Sequence, residues 1–274
     1  MNNGIPAENS TEKIIRTTKG RAIPLKYTDR SPEIIEMIGE GEIAITNNIA
    51  FSLATEGLAE GTAIVGGDGT LLKDSMKEHF YLSDAKTLNI SLILRPVMLA
   101  KKMMAIPAMA SIAAARAIES ISDLKISILW ANELCYKGKH IATVRADSSI
   151  LHDNFVGHIV LGIAFNIIPD YFTPRLSDIV AAVFNNQSHD VSERLTEAFV
   201  VKFFELYENY GSDRTFMREY KERSLLIGRR VKVRDESGRM IPARVCDIDN
   251  DARLIVETKD GERIAVTSRS EIIF

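Results

Sequence analysis

The sequence is short of cysteine, short of aromatic rings and nearly without net charge. Its two cysteines, Cys135 and Cys246, lie far apart and in no metal-ligand spacing. That excludes a disulfide framework and fits free thiols in a reducing cytoplasm. The formal net charge is −3 over 274 residues, too balanced to call for nucleic acid or an anionic membrane surface as partner. No apolar run reaches the ~18 residues of a membrane span; the longest candidates are broken by Arg95 and Asn166. The opening MNNGIPAENS has no basic segment followed by an apolar run, so no secretory signal is expected. Internal repeats and low-complexity tracts are also missing. What is plentiful is apolar side chain, at 46% of residues, enough for a large core.

Residues 1–30 are polar and aperiodic and read as a flexible leader. The first apolar pattern follows Pro32. NNIAFSLATEGL puts Ile49, Ala50, Leu53 and Ala54 on one helical face, with Gly57 to end the helix. GTAIVG is a short strand. LNISLILRP turns Leu88, Ile90, Leu92 and Leu94 inward, as a half-buried strand does. Pro107 suits the first turn of a helix through AMASIAAARAIESI. KISILW and HIATVRAD read as strands around a turn at Lys137-Gly138, and GHIVLGIAFNI as a strand buried on both faces. Thr173-Pro174 predicts a cap and first turn for a helix RLSDIVAAVF. Two more helices are expected, through VSERLTEAFVVKFFELYENY and DRTFMREYKERS. From Gly228 the texture becomes short strands broken by Ser-Gly, Asn-Asp and Asp-Gly turns. That predicts a small closed β-barrel, too small for an ample core of its own.

In this order and spacing the segments resemble the biotin–protein ligase family, over about residues 40–274. TNNIAFSLATEG is similar to the family's S-T-N-x-x-A-x-x-L-A-x-x-G. LNISLILRP resembles N-L-x-x-S-L-x-L-R-P. LWANELCYKGKHIATV stands where the family reads W-P-N-D-[IL], a turn, and K-K-x-A-G-[IL]. VLGIAFNI resembles V-x-G-I-G-x-N-V, and GRRVKV…DIDNDARLIV resembles the barrel's G-x-x-V-x-V…I-D-x-x-G-x-L-x-V. The resemblance implies an α+β fold: a mixed, mainly antiparallel sheet with helices over residues 31–224, then an SH3-like barrel over residues 225–274. It also implies a reaction. Biotin's carboxylate attacks the α-phosphate of ATP, held with magnesium, and a lysine of a biotin carboxyl carrier protein domain then attacks the adenylate. A second copy of the chain is a further candidate partner.

Developing negative charge in that reaction asks for fixed cations and close backbone N–H groups. The family's Q-T-x-G-R-G-R-x-G loop and catalytic lysine supply them. Here the loop is GTLLKDSMKEHF. Gly69 replaces the glutamine, and Thr70 is kept. Lys73 and Ser75 replace the two arginines. Leu72, Asp74 and Lys77 stand at glycine positions. His140 holds the catalytic lysine position, Thr143 and Ala164 replace glycines, and Ile45 replaces a serine. Thr46, Asn47, Arg95, Trp130, Asn132 and Asn166 are retained. The expected ligand pocket therefore comprises Thr46, Asn47, Gly69, Thr70, Lys73, Asn132, Thr143 and Asn166, with His140 at the catalytic position and no metal ligands. Together the changes point to a member whose ordinary biotinylation is lost or strongly altered, a candidate binding or regulatory paralogue. The alternative is an active ligase for biotin or another carboxylate. A remote alternative comes from VGGDGTLLKD, whose GGDGT is similar to a motif of NAD and lipid kinases.

Overall fold

The computed structural model describes residues 14–17, 34–38, 46–67, 87–167, 177–184, 189–210, 215–235, 237–267 and 271–274. Its larger sheet has eight strands: β1 (Ile14–Thr17), β2 (Ile34–Ile38), β3 (Ala63–Gly67), β4 (Thr87–Leu94), β5 (Ile126–Leu129), β6 (Glu133–Tyr136), β7 (Lys139–Ile150) and β8 (Val156–Asn166). Their spatial order is β1-β2-β3-β4-β8-β7-β6-β5. Only β2 and β3 run parallel; every other neighbouring pair is antiparallel. Around the sheet lie α1 (Thr46–Thr55), α2 (Ala105–Ile121), α3 (His189–Tyr207) and α4 (Thr215–Glu222).

The sheet is covered on both faces. On one, Ala50 and Ala54 of α1 pack on Ile64, Ile93 and Val160. Gly57, at φ +97°, ends α1 in the left-handed conformation. The Arg95 guanidinium donates to the carbonyls of Ala54 and Leu58 and so satisfies the helix's last acceptors. On the other face, Leu88, Ile90 and Leu92 of β4 and Phe165 of β8 join the main core with α2 and α3. α2 is apolar over its first eleven residues but for a buried Ser111, as a helix enclosed by a core is, and carries Arg116 and Glu119 only toward its end. The segment Ala100–Ile121 is long and apolar enough to cross a membrane by composition, yet 72% of that window is buried inside the fold. Phe165 meets Phe199 of α3 edge to face at 5.9 Å, a geometry aromatic pairs favour.

Three sequence expectations change. β4 is buried at every position, not half-buried, because α1 covers the face that the alternation leaves to solvent. Within the expected leader, Ile14–Thr17 pairs with β2. Of the stretch expected as the helix RLSDIVAAVF, Ser177 is helical, Asp178 and Ile179 turn, and the chain pairs like a strand from Val180. Val180 bridges His140, Ala181 N–H donates to the His140 carbonyl, and Val183 N–H donates to Asn166. Unpaired backbone groups at the ends of β7 and β8 draw this segment into sheet-like pairing. The cap expected at Thr173-Pro174 lies outside the described residues.

The second sheet has β9 (Arg230–Arg234), β10 (Met240–Ile248), β11 (Leu254–Thr258), β12 (Arg263–Val266) and β13 (Ile272–Ile273). They follow the order β12-β11-β10-β9-β13, all antiparallel, and curl into the SH3-like barrel. Val231, Val233, Val245, Leu254, Val256 and Val266 fill its interior. The barrel is tied to the larger sheet by backbone bonds from Ile128 to Arg223 and from Leu225 to Ile128. Trp130, 1% exposed, donates its indole N–H to the Ala252 carbonyl at 2.8 Å. Ala252 itself has φ +61°, the left-handed residue of the Asn250-Asp251 turn.

Candidate functional site

The register fixes which side chains share the α1 face. Thr143 stands opposite Ala164, Arg145 opposite Gly162 and Asp147 opposite Val160. One strand further, Asn89 pairs with Ala164 and Ser91 with Gly162. A bulge in the β6–β7 pairing, between Leu134 and Cys135, brings His140 opposite Cys135 while Glu133 opposes Thr143. A polar row thus crosses the sheet.

At one end of the row, Asn47 is fully engaged by protein. Its amide donates to Asp147 Oδ2 at 2.9 Å, and its carbonyl accepts from Ser91 at 2.7 Å. Ser91 Oγ also lies 2.6 Å from Thr46 Oγ1. A Cβ at Gly162 would fall 2.1 Å from Asn47 Oδ1, so only glycine fits beneath this side chain. Asp147 also takes the Arg145 guanidinium, with Nη2–Oδ1 at 2.7 Å. Nearby, His158 packs on Phe51 and shares a hydrogen bond with Ser149, while its buried Nε2 has no partner. Burial, then the charge of Arg95, pushes its pKa below the ordinary value.

At the other end, the buried Glu133 carboxylate accepts from the Thr143 hydroxyl at 3.2 Å and lies 3.4 Å from His140 Nδ1. The Asn166 amide donates to the His140 carbonyl at 3.3 Å. Asn132 sits at φ +72°, and its carbonyl accepts from Val144 N–H, which sets the entry into β6. Cys135 is buried, and burial together with the Glu133 charge pushes its thiol up to about 12. It is no thiolate nucleophile near neutral pH. Lys139 donates to the Ser177 carbonyl.

A cleft of about 270 Å³ opens between the start of α2 and the β6–β7 edge. Met103, Met104 and Pro107 form its apolar wall, and Asn132, Glu133, Thr143 and Arg145 its polar wall. The structure therefore brings Asn132 and Thr143 into one cleft, with His140 tied to its Glu133 wall. Asn166 holds His140 by its backbone. Thr46 and Asn47 are on the same face but bonded away from the cleft. Gly69, Thr70 and Lys73, as well as Ile45, lie outside the described residues. Sequence reasoning passed over Ser91, Glu133, Arg145, Asp147 and Gly162. The signal for two of them was present: Arg145 and Asp147 are two apart in one strand, hence on one face.

The comparisons agree with this architecture. The model of the biotin protein ligase C terminal domain matches residues 226–269, within the barrel. The bifunctional ligase/repressor BirA of Bacillus spizizenii is 24% identical over 234 residues, covering 82% of this chain and 70% of that protein. A mutant biotin protein ligase from Aquifex aeolicus, solved with biotin, superposes with a TM-score of 0.67 at 16% identity, covering 88% of this chain and 97% of its own. A biotin protein ligase-like protein of unknown function from Silicibacter sp. TM1040 superposes with a TM-score of 0.64 at 17% identity, covering 92% and 96%. The barrel thus matches the biotin protein ligase C terminal domain, and the chain as a whole is similar in sequence and in fold to biotin protein ligases.

Proposed function

We propose that this protein is a divergent biotin protein ligase-family member in which ordinary ATP-dependent biotinylation is lost or strongly altered, and that it acts as a binding or regulatory protein. The observation that carries the reading is the Glu133–His140 pair. The buried acid stands where the family has its aspartate, but its partner is an imidazole rather than an ammonium. An imidazole, unlike an ammonium, is not a permanent cation, and the negative charge that the reaction accumulates calls for fixed cations. Arg145, the nearby cation, is held by Asp147. Asn47 is likewise occupied by Ser91 and Asp147.

The same reading divides the chain at 224/225 into a ligase-like domain and the barrel. It keeps biotin, ATP and a carrier-protein domain as the ligands to try first, in a cytoplasmic setting. Isothermal titration with ATP–magnesium, biotin and a non-hydrolysable biotinyl-adenylate analogue tests it. ATP is expected to give no heat of binding. Saturable binding of both ATP and the analogue overturns the reading in favour of an active ligase.

That second reading, a ligase for biotin or another carboxylate, is favoured by one observation: Asn132, Thr143 and Arg145 still line one cleft. The kinase alternative finds no such support. Gly66 and Gly67 end β3, paired with Asn89 and Leu88 of an antiparallel neighbour, and the sheet is not the parallel Rossmann type that a nucleotide-kinase reading requires.

A further inference from the structure

The outward positions of the barrel carry an arrangement that folding alone disfavours. Along β9, Arg230, Lys232 and Arg234 all point outward, alternating with the buried Val231 and Val233. On β10, Arg244 also points outward and stands directly opposite Arg230. Like charges facing each other across a strand pair are destabilising. Elsewhere in the same barrel, arginines are matched: Arg239 with Asp235, Arg253 with Asp249 and Arg263 with Glu257. Among the described residues, Arg230, Lys232, Arg234 and Arg244 form no ion pair. Two of them are steadied by backbone: Arg234 donates to the Gly238 carbonyl and Arg244 to that of Gly228.

We propose that this outward face of β9 and β10 is a docking surface for an acidic, extended segment of a partner protein. Charge complementarity is the first reason. Geometry is the second. Alternate residues of a strand lie about 6.7 Å apart, so the β9 cations match carboxylates at every second position of an extended peptide. Because β9 is already paired with β10 and β13, the segment lies across the face and is held by side chains. The surroundings disfavour a nucleic acid. Residues 226–269 contain no Phe, Tyr, Trp or His, so the face has no platform on which bases stack. The exposed Pro242 and Ile273, in register with Lys232, add apolar contact suited to peptide side chains.

Fluorescence anisotropy with the full chain tests this, using a short labelled peptide of alternating Glu and Ser. Binding is expected at low salt and is expected to weaken roughly tenfold between about 50 and about 300 mM salt, as screening shortens the reach of the charges. The triple variant Arg230→Ser, Lys232→Ser, Arg244→Ser is expected to lose at least about tenfold in affinity, with an unchanged or higher melting temperature. Lys101→Ser with Lys102→Ser, removing exposed cations elsewhere, is expected to change nothing. The double variant Arg230→Lys, Arg244→Lys is expected to bind, since it keeps the charge. The proposal is overturned if the wild-type protein ignores the peptide, if the lysine-101/102 variant loses as much affinity as the triple variant, or if a single-stranded DNA of matched charge binds more tightly.

Discussion

The same strands present two different faces. Toward α2 and α3, β8 shows Leu161, Ile163 and Phe165, all in the main core. Toward α1 it shows Gly162, Ala164 and Asn166, joined by Asn89, Ser91, Thr143, Arg145 and Asp147 from the neighbouring strands. The first face is packed hydrocarbon. The second is a hydrogen-bonded polar row that ends at Glu133 and His140. The first holds the fold together, and its features survive in sequence as plain alternation. The second is polar, and its groups bond chiefly to one another. A polar face whose donors and acceptors are satisfied internally is a support first and a ligand site second.

The comparison is sharpened most by truncation on the packed face. Phe165→Ala is expected to cost about 3–5 kcal/mol, the usual range for a buried aromatic, read by chemical denaturation. A loss under about 1 kcal/mol would deny that this face is the main core.

Next in size is Gly162→Ala. The added methyl group meets Asn47 at 2.1 Å, so overpacking of about 1–3 kcal/mol is expected. Asn47→Ala removes the obstacle. In that background the same glycine change is expected to cost at least about 0.5 kcal/mol less. Strict additivity would show that Asn47 is not what confines Gly162.

Trp130→Phe comes third. It keeps an aromatic ring but removes the pyrrole part of the indole and leaves the Ala252 carbonyl without its donor, so a loss of at least about 1–3 kcal/mol is expected. Hydrogen exchange is expected to show the effect in the barrel turn around residues 249–253 before the larger sheet. Uniform loosening throughout would contradict the view that this bond ties the barrel down.

The smallest effect is a pH dependence on the packed side. Burial acts to raise Glu119 and Glu219, but it is outweighed. Arg223 holds Glu119, and Arg116 with Arg223 holds Glu219, below the ordinary 4.5. A carboxyl depressed in the folded state stabilises fully above its unfolded pKa and loses that contribution as pH falls through the folded value. The melting temperature is therefore expected to be insensitive to these groups above about pH 4.5 and to fall below it. Arg223→Met is expected to flatten that acid limb. An unchanged limb in the variant would assign the loss to other groups.

Much of this was legible in sequence, for identifiable reasons. α1, β3, β7 and β8 follow from apolar period and from turn residues such as Lys137-Gly138, both at positive φ. Thr143, Arg145 and Asp147 fall on one face because the strand period fixes side-chain direction, whereas His140, three residues before Thr143, joins Glu133 only through the bulge. Other features depend on partners remote in sequence. Whether DIVAAVF coils or extends is decided by open backbone groups at His140 and Asn166, which no local pattern contains. The second buried face of β4 depends on α1 arriving over Asn89 and Ser91. The Glu133–His140 pair depends on the bulge in the β6–β7 pairing, which no local pattern announces.

The most direct test of the account is pyrophosphate release from ATP in the presence of biotin and magnesium, measured against an active biotin protein ligase. With His140 beside Glu133 and no lysine there, the account predicts no biotin-dependent release above background. Turnover within about tenfold of the active enzyme, a barrier difference of no more than about 1.4 kcal/mol, would contradict it.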